Sequence, residues 1–158
     1  MPVKTRPAEL SVGEEAPEFD HFDEAGARRR LADYKGKTVV LYFYPRDNTP
    51  GCTIEACEFR DLRSRFSAKG AVILGVSPDS AAAHLKFKEK FKLPFTLLCD
   101  PDKTLCKAYG AWKEKAFMGR RFMGVERSTF VIGPDSKLKA VYRKVSAKGH
   151  PARVLETL

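Results

Sequence analysis

The run Pro45–Asp61, PRDNTPGCTIEACEFRD, decides how the rest of the chain is read. Pro50 suits the first position of a helix, where an amide N–H has no intrahelical partner, and Thr49 suits the cap before it. Cys52 therefore falls in the first helical turn. Unpaired N–H groups and the positive end of the helix dipole favour an anion there, so its thiol is expected to ionise more readily than a free one. Cys57 follows within the same expected helix.

Upstream of this run, Thr38–Tyr44 (TVVLYFY) is apolar nearly throughout and rich in β-branched and aromatic residues, the pattern of a central strand covered on both faces. Downstream, the helix is expected over Pro50–Phe66, with Phe59, Leu62 and Phe66 on one face. Ala71–Val76 reads as a second buried strand. Pro78-Asp79-Ser80 opens a second helix in which Phe87 and Phe91 share a face, and Pro94 ends it. A short strand (Phe95–Leu98) and a short helix (Lys103–Tyr109) follow, and then the aromatic stretch AWKEKAFMGRRFMGVE, which reads as irregular. Ser128–Ile132 and Leu138–Val145 flank Gly133-Pro134-Asp135-Ser136 as an antiparallel hairpin, and Gly149-His150-Pro151 starts a terminal helix. Before all of these, a polar lead (Met1–Pro17) precedes a small hairpin around Phe19 and Phe22, turning at Glu24-Ala25-Gly26. Strands alternating with helices early, and a hairpin plus helix late, imply an α/β three-layer sandwich with a central mixed β-sheet, thioredoxin-like. A flavodoxin-like open sheet is the alternative.

A chain of 158 residues with 43% apolar content is expected to form a single domain over 1–158. No apolar run is long enough to span a membrane, and the start MPVKTRPAEL lacks the apolar core of a secretory signal, so a cytoplasmic protein without a membrane partner is expected. Four cysteines in such a chain read as thiols for catalysis or metal rather than as a disulfide framework. Their spacings match no common zinc-finger pattern, and His84 and His150 read as surface and cap residues, so no metal and no cofactor are expected. The net charge of +9 is largely interleaved with acids, as in KFKEKFK, and the cluster Arg28–Arg30 is short, which favours a solvated basic surface over a nucleic-acid site.

Pro45, Thr49 and Cys52 in the pattern P-x-x-x-T-x-x-C, followed by Glu55 and Phe59-Arg60-Asp61, resemble the active-site signature of the peroxiredoxins. Cys57, the AYGAWKEKAFMG segment, the ERSTFVIGPDSK hairpin and the KGH start of the last helix are similar to the bacterioferritin-comigratory-protein or peroxiredoxin Q subgroup. The resemblance runs from about Gly13 to Leu158. It implies a thiol peroxidase on a thioredoxin fold, acting on hydroperoxides, recycled by thioredoxin or a similar dithiol protein, and monomeric. It assigns Cys52 as the attacking (peroxidatic) thiol, Cys57 as the resolving thiol, and Arg127 as the guanidinium of the site. Thr49 would hydrogen-bond reactants and Pro45 would shield the sulfur from bulk water.

Taken alone, Arg127 equally fits a surface arginine on a strand edge, Thr49 a simple helix cap, and Cys57 a small buried helix residue. Cys99 and Cys106 match no position in the implied mechanism, yet either could compete as the resolving thiol. A redox-sensing or basic binding protein without peroxidase turnover remains the alternative reading. If Cys57 does resolve, the spacing carries a consequence. Residues five apart on an intact helix are separated by about 7.5 Å of rise and point roughly 140° apart, whereas disulfide Cα atoms lie within about 6.8 Å. The helix must then unwind locally before the bond forms.

Overall fold

The structure is a computed structural model and describes residues 9–158. The first half of the polar lead therefore lies outside the described residues. From Gly13 onward the chain runs beside the late hairpin, with Gly13 N–H donating to the Leu138 carbonyl and Ala16 N–H to that of Ser136.

Five strands form the central sheet: β3 (Thr38–Phe43), β4 (Ala71–Ser77), β5 (Thr96–Cys99), β8 (Ser128–Ile132) and β9 (Leu138–Tyr142), in the order β5-β4-β3-β8-β9. β3, β4 and β5 are parallel; β8 runs antiparallel to β3, and β9 antiparallel to β8. This is the mixed sheet of a thioredoxin-like sandwich. The remaining elements are the small hairpin β1 (Asp20–Phe22) and β2 (Arg28–Arg30), helices α1 (Pro50–Ala68), α2 (Ala81–Phe91), α3 (Thr104–Ala108) and α4 (His150–Glu156), and the hairpin β6 (Trp112–Phe117) with β7 (Arg120–Val125).

Period-two alternation along β3 divides the core. Val40 and Tyr42, continued by Tyr44, face a cluster with Phe59 and Phe66 of α1, Phe87 of α2 and Val154 of α4. Val39, Leu41 and Phe43 face the other way, onto Phe19, Leu31, Leu105, Tyr109 and Phe130. Each fully buried phenylalanine contributes on the order of 2–3 kcal/mol. Both faces of β3 are covered, which is why its sequence shows no polar side.

Two expectations need correction. Residues 111–126 are not irregular, since Trp112–Phe117 and Arg120–Val125 pair over six positions around a Met118-Gly119 turn. Both residues of the turn have positive φ, 52° and 79°, the geometry of a tight two-residue hairpin. His84 is not a surface residue but is buried, and His150 is not the cap of the last helix, since Gly149 takes the N-cap and His150, also buried, is the first residue of α4. The Arg28–Arg30 cluster is strand β2, and its charges are answered locally by Asp20, Asp23 and Asp33.

Candidate active site

β3 delivers the chain to Pro45, and a short loop turns it into α1. Asn48 adopts a left-handed φ of 62°, and Thr49 takes the extended N-cap conformation. The Thr53 amide donates to the Thr49 carbonyl at 2.8 Å, closing the first helical bond, with Pro50 at the first position. The Thr49 side chain is no cap, however: its hydroxyl donates back to the Arg46 carbonyl at 2.8 Å. Cys52 is thus the third residue of α1, its own amide and that of Gly51 among those with no carbonyl one turn behind them. Its side chain is 2% exposed.

Arg127 comes from the residue just before β8, the strand next to β3. Its Nη2 lies 3.4 Å from Cys52 Sγ, and its Nη1 donates to Glu55 Oε1 at 2.5 Å. One planar guanidinium thus ties the sulfur to a carboxylate one turn further along α1. Glycine at position 51 makes room for it, because a Cβ there would sit 3.1 Å from Arg127 Nη2.

Burial sets the electrostatics. It pushes the Glu55 carboxyl up to about 7, against the pull of the Arg127 guanidinium. Burial also works against the charge on Arg127, but Glu55 and Cys52 outweigh it and hold the guanidinium above its ordinary value. Glu55 Oε2 and the Tyr42 hydroxyl are buried without a hydrogen-bond partner among the described residues. The Tyr42 hydroxyl is raised well above its ordinary value by burial, then by the charges of Glu55 and Cys52.

A cleft of about 450 Å³ opens beside this group, lined by Pro45, Lys115, Ala116, Arg127, Lys144 and Val145. Pro45 and Arg127, the two expected site residues from distant parts of the chain, share its wall.

Glu55 stands in the sequence signature without an expected role, although its position one turn after Cys52 in a helix is signal enough. Cys57 lies further along α1, half-buried, and all four cysteines are free thiols. Cys99 donates weakly to the Asp23 carbonyl at 3.8 Å, and burial, then Glu24 and Asp23, push its thiol up to about 11. Cys106 is fully buried in the core, its thiol pushed up further by burial and then by Asp100.

Comparison with known proteins decides the family. Residues 12–141 match the model of the AhpC/TSA family. Peroxiredoxin Bcp of Bacillus subtilis is 50% identical over 149 residues, covering 94% of this chain and 95% of that one. The chain belongs to the AhpC/TSA family of peroxiredoxins. Among solved structures, a cysteine mutant of Xylella fastidiosa PrxQ superimposes on this peroxiredoxin with a TM-score of 0.90 at 36% identity, covering 95% of this chain and 96% of that one. Xanthomonas campestris bacterioferritin comigratory protein gives a TM-score of 0.86 at 37% identity, covering 92% and 96%. Both likenesses carry the thioredoxin fold, and membership of the peroxiredoxins carries a peroxidase function. Among the described residues of this peroxiredoxin, no helix is long and apolar enough to cross a membrane.

Proposed function

We propose that this peroxiredoxin reduces hydrogen peroxide and organic hydroperoxides through Cys52 and Cys57, as a single domain and a monomer in the cytoplasm. The observation that carries the reading is the Arg127 guanidinium 3.4 Å from Cys52 Sγ at the start of α1. The Cys52 thiolate attacks one peroxide oxygen, the O–O bond breaks, and the departing alkoxide or hydroxide takes up a proton as alcohol or water. Sulfur is oxidised to a sulfenic acid. Charge moves from sulfur to oxygen during this step, and a cation beside the sulfur, with first-turn amides of α1, stabilises it along the way. Pro45, which has no N–H, limits water at the mouth of the cleft, and the Thr49 hydroxyl, its proton donated to the Arg46 carbonyl, is left to accept from the peroxide. The description of the Xanthomonas campestris relative in terms of alkyl peroxide reduction supports organic hydroperoxides as substrates.

Cys57 then condenses with the sulfenic acid, forming a disulfide and releasing water. The bond requires the start of α1 to unwind. The anchors of α1 lie mostly beyond this point: Glu58 Oε1 accepts from the Gly149 amide at 2.8 Å, Arg60 Nη1 donates to the Phe91 carbonyl at 2.7 Å, and Phe59 and Phe66 sit in the core. The turn between Cys52 and Cys57 is itself held by the Arg127–Glu55 pair and by buried Ala56, and these contacts release as it unwinds. Thioredoxin or a similar dithiol protein restores both thiols by exchange. No cofactor or metal takes part in this scheme.

Peroxide-dependent NADPH consumption coupled through thioredoxin and its reductase tests the reading. Turnover is expected in the wild type and lost in Cys52→Ser; activity that survives that substitution would sink it.

A further inference from the structure

The loop that launches α1 is fastened by a buried ionic pair outside the reacting groups. Asp47 lies in the middle of Pro45–Thr49. Its Oδ1 accepts from the Tyr44 hydroxyl at 2.6 Å, its Oδ2 sits 2.6 Å from His84 Nδ1, and its own amide donates to Asp79 Oδ2 at 2.8 Å. Asp79 is itself held by the Ser77 hydroxyl at 2.6 Å. The other ring nitrogen of His84 lies 2.8 Å from the Leu98 carbonyl, on β5. His84 is completely buried on α2.

A carbonyl oxygen only accepts, so Nε2 carries a proton. An ionised carboxylate only accepts, so Nδ1 carries one too. A histidine placed between two acceptors is an imidazolium, and neither ring nitrogen keeps a lone pair for a metal. The groups facing the ring are Asp47, Asp79, Tyr44 and the Leu98 carbonyl. Burial opposes the charge, but Asp47, the Leu98 carbonyl and Asp79 together outweigh it and hold the imidazole above its ordinary value. A buried charge pair whose remaining positions are all hydrogen-bonded costs much to break, because one partner removed leaves the other buried and unpaired.

We propose that His84 is a positioning residue for the peroxidase reaction: its imidazolium, bridging Asp47 and the Leu98 carbonyl, clamps the Pro45–Thr49 loop to α2 and β5 and so fixes the launch of α1 at Cys52. The clamp lies wholly outside the turn between Cys52 and Cys57. It holds the base of the helix while that turn unwinds, and it gives the turn a fixed start from which to rewind. This rests on the thiol peroxidase reading.

The test measures the second-order rate of the reduced protein with hydrogen peroxide in stopped flow, for wild type, His84→Gln, Asp47→Asn and the double variant, well below each melting temperature. Misplacement of a reacting group by a fraction of an ångström slows a reaction by about ten- to a hundredfold, and each single variant is expected to fall in that range. The double variant should be no slower than the slower single, because both remove the same pair. Nitrogen NMR of the wild-type ring should show protons on both nitrogens. A folded variant reacting at the wild-type rate, additive losses, or a ring with one bare nitrogen would each overturn the proposal. Should His84→Gln not fold, Tyr44→Phe, which removes only the hydroxyl donated to Asp47, gives the same readout with a smaller expected loss, and an unchanged rate overturns the proposal equally. A wild type inert to peroxide would instead remove the peroxidase reading, while the NMR signature would still report on the pair.

Discussion

Arg127 reaches Cys52 across 75 positions of sequence, and it holds the sulfur and Glu55 with the two ends of one guanidinium. The register of β8 against β3, with Ser128 opposite Phe43, brings it there. Removing a preorganised donor from a site where charge develops costs about a hundredfold or more in rate. Arg127→Gln is therefore expected to slow the reaction of Cys52 with peroxide by at least that factor while leaving the circular dichroism spectrum unchanged. Arg127→Lys, which keeps the charge and loses the fork, should fall between the two. Equal rates for all three would remove Arg127 from the site.

Gly51 tests the same contact from the other side. A methyl group there would press on Arg127 Nη2 from 3.1 Å, so the guanidinium must shift. Alanine is also the better helix former, by up to about 1 kcal/mol. Gly51→Ala is expected to keep or raise the melting temperature and to slow the peroxide reaction by about tenfold. A variant as fast as the wild type would show that Arg127 has slack to spare.

Glu55 and His150 give opposite pH dependences that overlap. The folded-state value of Glu55 is raised from 4.5 to about 7, chiefly by burial, so the folded protein holds a proton that the unfolded chain releases. The stability this contributes is full below about 4.5 and is lost as pH rises towards 7. His150, whose Nε2 is 2.8 Å from the Thr129 hydroxyl, is lowered from 6.5 to about 4 by burial, then by Arg153 and Arg127. Its contribution is full above about 6.5 and is lost as pH falls towards 4. Each effect is on the order of 3 kcal/mol, and between pH 4.5 and 6.5 they offset each other. Denaturant titrations should show Glu55→Gln losing stability towards acid more steeply than the wild type, and His150→Gln losing it towards neutral pH. Parallel curves for all three proteins would count against both assignments.

Cys57→Ser separates the thiols. Without a resolving partner the Cys52 sulfenic acid should persist, react with dimedone and progress to the sulfinic acid under excess peroxide, with thioredoxin-coupled turnover largely lost. Cys99→Ser and Cys106→Ser should turn over normally, since burial holds both thiols well above the range in which they ionise. Peptide mapping under non-reducing conditions should find Cys52 linked to Cys57; a link to Cys99 or Cys106 would reassign the resolving role.

What the sequence shows and hides here follows from range. The strand before Pro45, the helix after Thr49 and the place of Cys52 in its first turn depend on neighbours within a few residues, and all are found. The same short range exposes Glu55, whose carboxyl lies on the helix face of Cys52. Arg127 is different, because spacing alone does not select it among many arginines, and only the peroxiredoxin resemblance pointed to it. The hairpin β6–β7 escapes because most of its side chains are exposed, so no apolar alternation marks its strands, and its turn rests on a methionine at φ 52° rather than on an Asn-Gly pair. His84 was misplaced despite a usable signal: it precedes Phe87 and Phe91 by three and seven positions, on the buried face of α2. Its partner Asp47 comes from another element, which no helical period encodes.

The most direct test of the central claim follows amide hydrogen exchange along α1 before and after one equivalent of peroxide. Formation of a Cys52–Cys57 bond by unwinding predicts that the hydrogen-bonded amides from Thr53 to Asp61, whose carbonyl acceptors lie in or before the unwound turn, lose protection in the oxidised protein while those from Leu62 to Ala68 keep it. A bonded pair with protection unchanged over the whole of α1 would contradict it.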